Sequence, residues 1–270
     1  MRFGLEMAQH RLEWDDLVAR FRFAEQAGFD GAWIFDHFKP LYGEGPGPCM
    51  EAWTLLAALA ASTERIRLGA LVTGMTYRHP AVLAAEVVTV DHVSRGRLEF
   101  GIGTGWYEEE HRELGIDLPP TGERVGRFDE GLEVIVRLMT EDDVTFDGDH
   151  FQLRGATILP RPVQQPHPPV WIGASGPRML GIVARCADVW HTFGSPVEIA
   201  TLSKVLDEKV RGAGRDPSDV ARATSLSIEG SWDDIRREVD AYAEVGVSYL
   251  VVGWPSEGQK RVEEFVGRFL

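Results

Sequence analysis

A glycine-rich segment, Gly103-Thr104-Gly105-Trp106, directly follows the apolar run Leu98 to Ile102 and precedes an acidic stretch that we expect to be helical. Closely spaced glycines let the backbone approach a flat or phosphorylated ligand, and the N-terminus of the next helix offers free N–H groups. The ring of Trp106 can wall off a planar ring system. The same pattern also suits a plain strand-to-helix turn, so it indicates a cofactor site only in combination with similar segments.

A second such segment is Gly173-Ala174-Ser175-Gly176, followed by Pro177 and Arg178. Proline is well suited to a first helical position, so free N–H groups, the Ser175 hydroxyl and the Arg178 charge predict a phosphate site. The alternative is a tight turn with a solvated arginine. Ser175 is not expected to be a nucleophile, because the Gly-x-Ser-x-Gly motif needs a glycine where Pro177 stands.

Metal-dependent hydrolysis is the main rival chemistry for a chain with several histidines. Barrel hydrolases commonly place a His-x-His pair at the end of the first strand, where this chain has Glu6-Met7-Ala8-Gln9. The other candidates are scattered without ligand spacing, at His37, His79, His111 and His191. We therefore predict no metal site.

Composition limits the partners and the compartment. The formal charge of −14 argues against nucleic acid or an anionic membrane, and no apolar run approaches ~18 residues. Cys49 and Cys186 have no CxxC spacing, and a strand begins at Arg2, which leaves no room for a signal peptide. We expect a cytoplasmic protein whose partner is a small molecule.

Strand and helix signals alternate along the whole chain. Short apolar runs predict eight strands, at Phe3 to Met7, Ala32 to Phe35, Ile66 to Val72, Leu98 to Ile102, Val170 to Ile172, Val189 to Thr192, Ser225 to Ile228 and Tyr249 to Val252. Helical periodicity predicts the segments between and after them, at Trp14 to Ala27, Glu51 to Ser62, Ala81 to Val93, Arg124 to Met139, Pro177 to Cys186, Ile199 to Ala213, Trp232 to Val245 and Gln259 to Leu270. This order predicts an α/β fold, a (β/α)8 TIM barrel formed by residues 1–270 as one domain.

Two further segments refine this prediction. Val144 to Leu153, with Asp147-Gly148 in its middle, predicts a β-hairpin inserted before strand five. The alternative to the barrel is an open doubly wound sheet, which would carry Gly-x-Gly-x-x-Gly after its first strand. The residues Glu6 to Gln9 at that point do not match.

In a barrel the functional residues lie where the strands end. Here these ends are rich in glycine, hydroxyl and aromatic residues and poor in paired carboxylates, a mixture that suits a large planar, phosphate-bearing cofactor better than hydrolysis. They comprise Glu6-Met7, Asp36-His37-Phe38, Val72 to Thr76, Gly103 to Trp106, Gly173 to Gly176, His191-Thr192, Glu229 and Gly253-Trp254.

These motifs resemble those of the bacterial luciferase-like superfamily, and more narrowly its coenzyme F420-dependent oxidoreductases. The resemblance covers nearly the whole chain. It is carried by Ala27 to Gly31, Phe35 to Phe38, Arg65 to Gly69, Tyr77-Arg78-His79-Pro80, Asp91 to Arg97, Gly101 to Trp106, Glu123-Arg124, Phe146-Asp147-Gly148, Pro160 to Gln164 and Ala187-Asp188. Both F420 and FMN use this barrel, so FMN stays open as the alternative cofactor.

The resemblance implies roles for particular residues. His37 would lie beside the reactive face of the cofactor and relay a proton or stabilise charge, with Asp36 touching the cofactor or orienting His37. Similar proteins have a non-prolyl cis peptide under the central ring, which here would be Leu71–Val72. The full set of implied cofactor-binding residues is Asp36, His37, Leu71, Val72, Thr73, Gly103, Thr104, Gly105, Gly173, Ala174, Ser175, Gly176 and Arg178.

The chain departs from the F420-dependent glucose-6-phosphate dehydrogenases at two positions. Trp106 replaces the acidic residue after their Gly-Thr-Gly, and Leu41 replaces a tryptophan. We therefore expect no sugar-phosphate dehydrogenase activity and a flatter, more apolar substrate pocket, lined by Met7, Phe38, Trp106 and Trp254.

The sequence thus predicts an F420-dependent enzyme that transfers hydride between the cofactor and a small, largely apolar organic substrate. The alternatives are an FMN-dependent monooxygenase and a non-catalytic flavin- or deazaflavin-binding protein. The resemblance also implies a homodimer, with the helices after strands two and three as its interface.

Overall fold

Eight parallel strands close into a ring in the computed structural model, which describes all 270 residues. Each strand pairs with its neighbours in chain order, and the ring closes where Arg2 of the first strand lies opposite Tyr249 of the last. The predicted TIM barrel is confirmed. The strands are β1 (Arg2–Glu6), β2 (Gly31–Ile34), β3 (Arg67–Ala70), β4 (Leu98–Gly103), β5 (Val170–Gly173), β6 (Val189–His191), β7 (Ala221–Leu226) and β8 (Tyr249–Gly253).

Eight main helices, one after each strand, surround the ring. They are α1 (Trp14–Ala27), α2 (Ala52–Ser62), α3 (Pro80–Ser94), α4 (Thr121–Thr140), α5 (Pro177–Cys186), α6 (Pro196–Gly212), α7 (Trp232–Glu244) and α8 (Gln259–Phe269). Shorter elements are a strand extension at Thr73–Gly74, 3-10 turns at Met75–Tyr77 and Pro217–Asp219, and an acidic helix at Glu108–Leu114. None of the helices is long and apolar enough to span a membrane.

Three aromatic side chains fill the barrel interior. Trp33, Trp171 and Tyr249 are fully buried, and the Trp171 ring lies 4.5 Å from Trp33 and 5.0 Å from Tyr249 between centroids. Gly4 makes room for them, since a Cβ there would lie 2.5 Å from the Tyr249 hydroxyl. Because side chains alternate along a strand, Glu6 faces the interior two residues after Gly4. Because the three aromatic rings fill the interior, the open space lies at the carboxyl end of the strands.

The predicted hairpin is also confirmed, in the connection between α4 and β5. Val144–Asp147 pairs antiparallel with Gln152–Ala156, so the second strand extends three residues past the predicted end at Leu153. Glu130 of α4 holds the turn by accepting hydrogen bonds from the N–H groups of Asp149 and His150 at 3.1 and 2.9 Å.

The bounds of β7 are the clearest error in the predicted elements. The strand begins at Ala221 rather than Ser225 and ends at Leu226 rather than Ile228. Its first half contains Arg222 and the small residue Ala223, so it lacks the apolar run that marks the other strands. Ala223 is nevertheless buried and packs with the interior aromatic residues, which leave space for only a small side chain.

Candidate active site

A cavity of about 860 Å³, here called the main cavity, opens at the carboxyl end of the barrel. The ends of β2 to β6 and the loops after them form its wall. Parallel strands bring these loops together although they are far apart in the sequence. Every residue implied to bind the cofactor lies on this wall, namely Asp36, His37, Leu71, Val72, Thr73, Gly103, Thr104, Gly105, Gly173, Ala174, Ser175, Gly176 and Arg178.

His37 is held by a carboxylate that the sequence analysis did not identify. Its Nδ1 lies 2.8 Å from Oε2 of Glu110, a fully buried residue of the acidic helix. The only hydrogen bond of the ring within the protein is the one at Nδ1, so Nε2 has no partner there, and His37 lines the main cavity. The hydrogen bond at Nδ1 thus fixes the orientation of the ring, and Nε2 is available to a ligand.

The remaining contacts of Glu110 define its charge state. It accepts hydrogen bonds from the backbone N–H groups of Phe38 and Lys39, at 2.6 and 3.0 Å, and from the Tyr77 hydroxyl. Burial alone would raise the pKa of Glu110, but these bonds and the one to His37 outweigh it and hold the pKa below its usual value. An ionised Glu110 accepts the Nδ1 proton of His37, which assigns the lone pair of the neutral ring to Nε2.

Tyr77 completes this group. Burial and its hydrogen bond to Glu110 raise the pKa of the Tyr77 hydroxyl, so it stays protonated and donates. Its ring stacks on His111 at 4.7 Å, and Phe38 packs edge-on against it at 5.1 Å. Tyr77 lines the main cavity and therefore joins the candidate site.

Asp36 does not have the second of the two roles expected for it, the orientation of His37, and its contact with the cofactor stays a prediction. Its carboxylate accepts two hydrogen bonds from Arg78, at 2.7 and 3.0 Å, and one from the Gly74 N–H at 2.9 Å. The Arg78 side chain is only 9% exposed and also pairs with Glu51, which caps the N-terminus of α2. Asp36 makes no hydrogen bond to His37, so it fixes the loop after β3, and the orientation of His37 comes from Glu110.

The loop after β3 carries the backbone feature that the resemblance implied. The Leu71–Val72 peptide bond is cis and lies on the cavity wall. The next residue, Thr73, is fully buried, and its hydroxyl has no hydrogen-bond partner in the protein. Gly105 packs against this loop with a φ of 80°, and a Cβ there would lie 2.3 Å from the Thr76 hydroxyl oxygen.

The loop after β5 leads into α5 on the opposite wall. Gly176 caps this helix without any side-chain hydrogen bond, so the first N–H groups of α5 are open to a ligand. A Cβ at Gly176 would meet no protein atom within 4 Å, so its side faces open space. Arg178 is exposed and donates to the Gly122 carbonyl oxygen at 3.0 Å, which keeps its guanidinium at the cavity edge.

Of the four residues predicted to line the substrate pocket, only Trp106 lies on the main cavity. It is 62% exposed, with its ring 5.8 Å from that of His37. Met7 is fully buried in the core outside the cavity, and Phe38 packs on Tyr77. Trp254 lines a second, smaller cavity at the ends of β1, β7 and β8.

Comparison with known proteins places these features in context. The model of the family described as luciferase-like monooxygenase matches residues 1–229. An F420-dependent glucose-6-phosphate dehydrogenase from Microbacterium testaceum is 34% identical over 232 residues, which are 84% of this chain and 68% of that protein.

Two solved structures share the fold at 20% sequence identity. One is an F420-dependent secondary alcohol dehydrogenase in complex with an F420-acetone adduct, with a TM-score of 0.82 over 93% of this chain and 92% of that chain. The other is the F420-dependent tetrahydromethanopterin reductase from Methanopyrus kandleri, with a TM-score of 0.83 over 99% and 97%.

Proposed function

Since the chain belongs to the luciferase-like monooxygenase family, we propose that it is an oxidoreductase that uses coenzyme F420. Its reaction is hydride transfer between the cofactor and a small, largely apolar organic substrate. The observation that carries this proposal is the position of His37, held by a buried carboxylate on the same wall as every residue implied to bind the cofactor.

The residues of the main cavity fit such a cofactor. Its volume of about 860 Å³ lies within the usual range for cofactor sites, about 300 to 1,000 Å³. The Thr73 hydroxyl is buried without a protein partner, which suits a hydrogen bond to a bound polar group. Leu71 to Thr73 and Gly103 to Gly105 would hold the ring system, and the open N–H groups after Gly176 would hold a phosphate group.

His37 supplies the proton chemistry at this site. When bound, F420 accepts or donates hydride at a ring carbon as a two-electron carrier. A substrate group that gains or loses a proton in the same reaction can exchange it with Nε2 of His37. Glu110 stabilises the positive charge on the ring after Nε2 has taken up a proton, because its carboxylate stays bonded to Nδ1.

The substrate is proposed to differ from glucose 6-phosphate. Trp106 and Leu41, the two departures from the glucose-6-phosphate dehydrogenase pattern, both line the main cavity. They place apolar surface where that pattern has a carboxylate and an indole. A carboxylate at position 106 would bring an acidic group near His37, whereas the indole ring offers only its flat face and one N–H group.

Titration of the purified protein with F420 and, separately, with FMN tests the cofactor. Micromolar or tighter F420 binding with weak FMN binding is the expected result, and a substrate screen by F420 absorbance follows from it. The reverse preference would move the protein to the FMN-dependent monooxygenase alternative, with oxygen consumption as the next assay. Tight F420 binding without turnover of any substrate in the screen would favour the non-catalytic alternative.

We further propose that residues 1–270 form one domain that acts in the cytoplasm as a homodimer through α2 and α3. Val82 and Val93 of α3 are 53% and 40% exposed, which supports an apolar contact on that face. Sedimentation of the wild type and of Val82→Asp at micromolar concentration tests this interface. A monomeric wild type, or an unchanged dimer in the variant, would contradict it.

A further inference from the structure

The second cavity, here called the Glu6 cavity, lies beside the main cavity at the same end of the barrel. It has a volume of about 210 Å³ and is lined by the ends of β1, β7 and β8, the three strands that do not contribute to the main cavity. At about 30 Å³ for each water molecule, this is room for a small chemical group.

The Glu6 carboxylate in this cavity has no partner. Glu6 lines the cavity, and its side chain accepts no hydrogen bond and forms no ion pair within 4 Å; its backbone carbonyl oxygen accepts from the Trp254 N–H at 3.1 Å. Burial raises the pKa of Glu6 to about 7. Such a shift reflects the cost of ionising a carboxyl group that has neither a positive charge nor a donor beside it, and a cation placed there would remove this cost.

The other charged groups near the cavity do not neutralise Glu6. Glu229 also lines the cavity, and no lysine or arginine does. Two guanidinium groups approach from outside the wall, with Arg20 stacked 4.1 Å above the Trp254 ring and Arg261 donating to the Ile228 carbonyl oxygen at 2.8 Å. Neither forms an ion pair with Glu6. Glu229 accepts a hydrogen bond from the Ser256 N–H at 3.0 Å, and this bond together with the charge of Arg261 lowers its pKa, so Glu6 is the carboxylate on the wall that lacks a counter-charge.

The Glu6 cavity adjoins the main cavity. Nε2 of His191, which lines the main cavity, lies 3.3 Å from the Ser225 hydroxyl, which lines the Glu6 cavity. A molecule longer than one small group can therefore extend from one cavity into the other.

We propose that the substrate carries a basic amine, whose ammonium group binds beside Glu6 while its reacting carbon lies in the main cavity near His37. The apolar body lies between these ends. This inference deepens the proposed function and rests on it for the identity of the main cavity. Glu6 is then the residue that determines the substrate class, because it selects a cation over a neutral group of the same size.

A matched pair of small probes tests the Glu6 cavity without a known substrate. n-Butylamine, charged at pH 7.5, and neutral 1-butanol are titrated into the full-length protein, with binding followed by ligand-observed NMR. We expect the amine to bind the wild type at least about tenfold more tightly than the alcohol. In Glu6→Gln this preference should fall to about twofold or less. The exposed, unpaired Glu208 provides the matched control, and Glu208→Gln should keep the preference.

Equal binding of the two probes to the wild type would overturn the inference, and so would an amine preference that survives in a folded Glu6→Gln. If that variant does not fold, the comparison of n-butylamine with 1-butanol on the wild type decides the question. F420 titration of the same protein separates this result from the proposed function. If the protein binds F420 but shows no preference for the amine, only the inference about the substrate amine is rejected. If it prefers the amine but does not bind F420, only the proposed cofactor is rejected.

Discussion

The Nδ1 atom of His37 lies 2.8 Å from Oε2 of Glu110, and this contact leaves Nε2 as the only ring nitrogen able to exchange a proton in the main cavity. Glu110 is the acceptor in this contact, because its pKa is held below the usual value and its Oε2 also accepts from the Tyr77 hydroxyl. A histidine fixed in this way is suited to general acid–base chemistry.

Replacing His37 with alanine should lower turnover far more than cofactor binding. Loss of a general acid or base typically costs about 10²- to 10⁴-fold in rate. We expect kcat to fall within this range and the Kd for F420 to change by less than about tenfold, because many other wall residues are proposed to hold the cofactor. Absorbance assays of F420 turnover and fluorescence titration measure the two effects. Equal turnover in variant and wild type would remove His37 from the reaction.

Glu110→Gln tests the positioning of His37. A neutral amide cannot accept from all the donors around Glu110. In one orientation its NH2 group opposes the N–H groups of Phe38 and Lys39, and in the other it opposes the N–H of His37 and the Tyr77 hydroxyl. We expect kcat to fall by about 10²-fold, with KM and F420 binding changed much less. Glu108→Gln is the matched control, because Glu108 is exposed on the same helix. A parallel change in KM and in F420 binding would instead indicate general damage to the cavity.

Sequence reasoning located the cavity wall but not Glu110. The wall residues could be predicted because the carboxyl ends of parallel strands must share one rim of the barrel. Glu110, in contrast, is the third residue of a Glu-Glu-Glu run that reads as a solvated helix face. The helix begins directly after Tyr107, and this starting point turns Glu110 inward. Glu108 and Glu109 stay exposed.

The positions of Met7 and Trp254 outside the main cavity follow from the strands that carry them. Glu6 faces the barrel interior, so Met7 points outward into the layer between strands and helices. Trp254 follows Gly253 at the end of β8 and reaches the smaller cavity rather than the main one. Side chains alternate along β1, so Glu6 faces the barrel interior as Gly4 does. Sequence reasoning named Glu6 at the end of this strand but assigned its neighbour Met7 to the pocket.

Glu6→Gln should stabilise the fold at high pH. The pKa of Glu6 is raised from 4.5 to about 7, so the folded protein holds a proton between these values that the unfolded chain releases. Wild-type stability therefore falls as the pH rises from 4.5 to 7, and the loss stays complete above 7. We expect the variant to gain up to about 3 kcal/mol in free energy of unfolding at pH 8 and little at pH 5. Denaturant unfolding at both values measures this, and a gain of the same size at pH 5 would contradict it.

His191 should have the opposite effect at low pH. Burial lowers its pKa from 6.5 to about 4, so the unfolded chain binds a proton in this range that the folded protein does not. Its contribution to stability is complete above pH 6.5 and is lost as the pH falls towards 4. His191→Asn loses packing and is therefore less stable than the wild type at pH 7, but we expect the difference to shrink at pH 4.5. Thermal melts of both proteins at pH 7 and pH 4.5 test this. A difference in stability that is the same at both pH values would contradict the lowered pKa of His191.

Arg78→Met should destabilise the protein strongly. Removing the guanidinium leaves the buried Asp36 carboxylate without its charged partner, and Glu51 loses a contact as well. Breaking a buried ion pair from one side costs about 3–5 kcal/mol. Denaturant unfolding at pH 7 measures the loss, with Arg112→Met on the exposed face of the acidic helix as the control. A loss no larger than that of the control would show that the pair is dispensable.

The pairing of β1 with β8 has a consequence for how the molecule is made. Arg2 and Tyr249 are neighbours in the ring although nearly the whole chain separates them. During synthesis, the edge of β1 that pairs with β8 therefore lacks its backbone hydrogen bonds until the last strand has left the ribosome. The main cavity is lined only by residues from Phe35 to Phe193, whereas the Glu6 cavity joins Glu6 to residues from Ser225 to Pro255, so the Glu6 cavity is completed last.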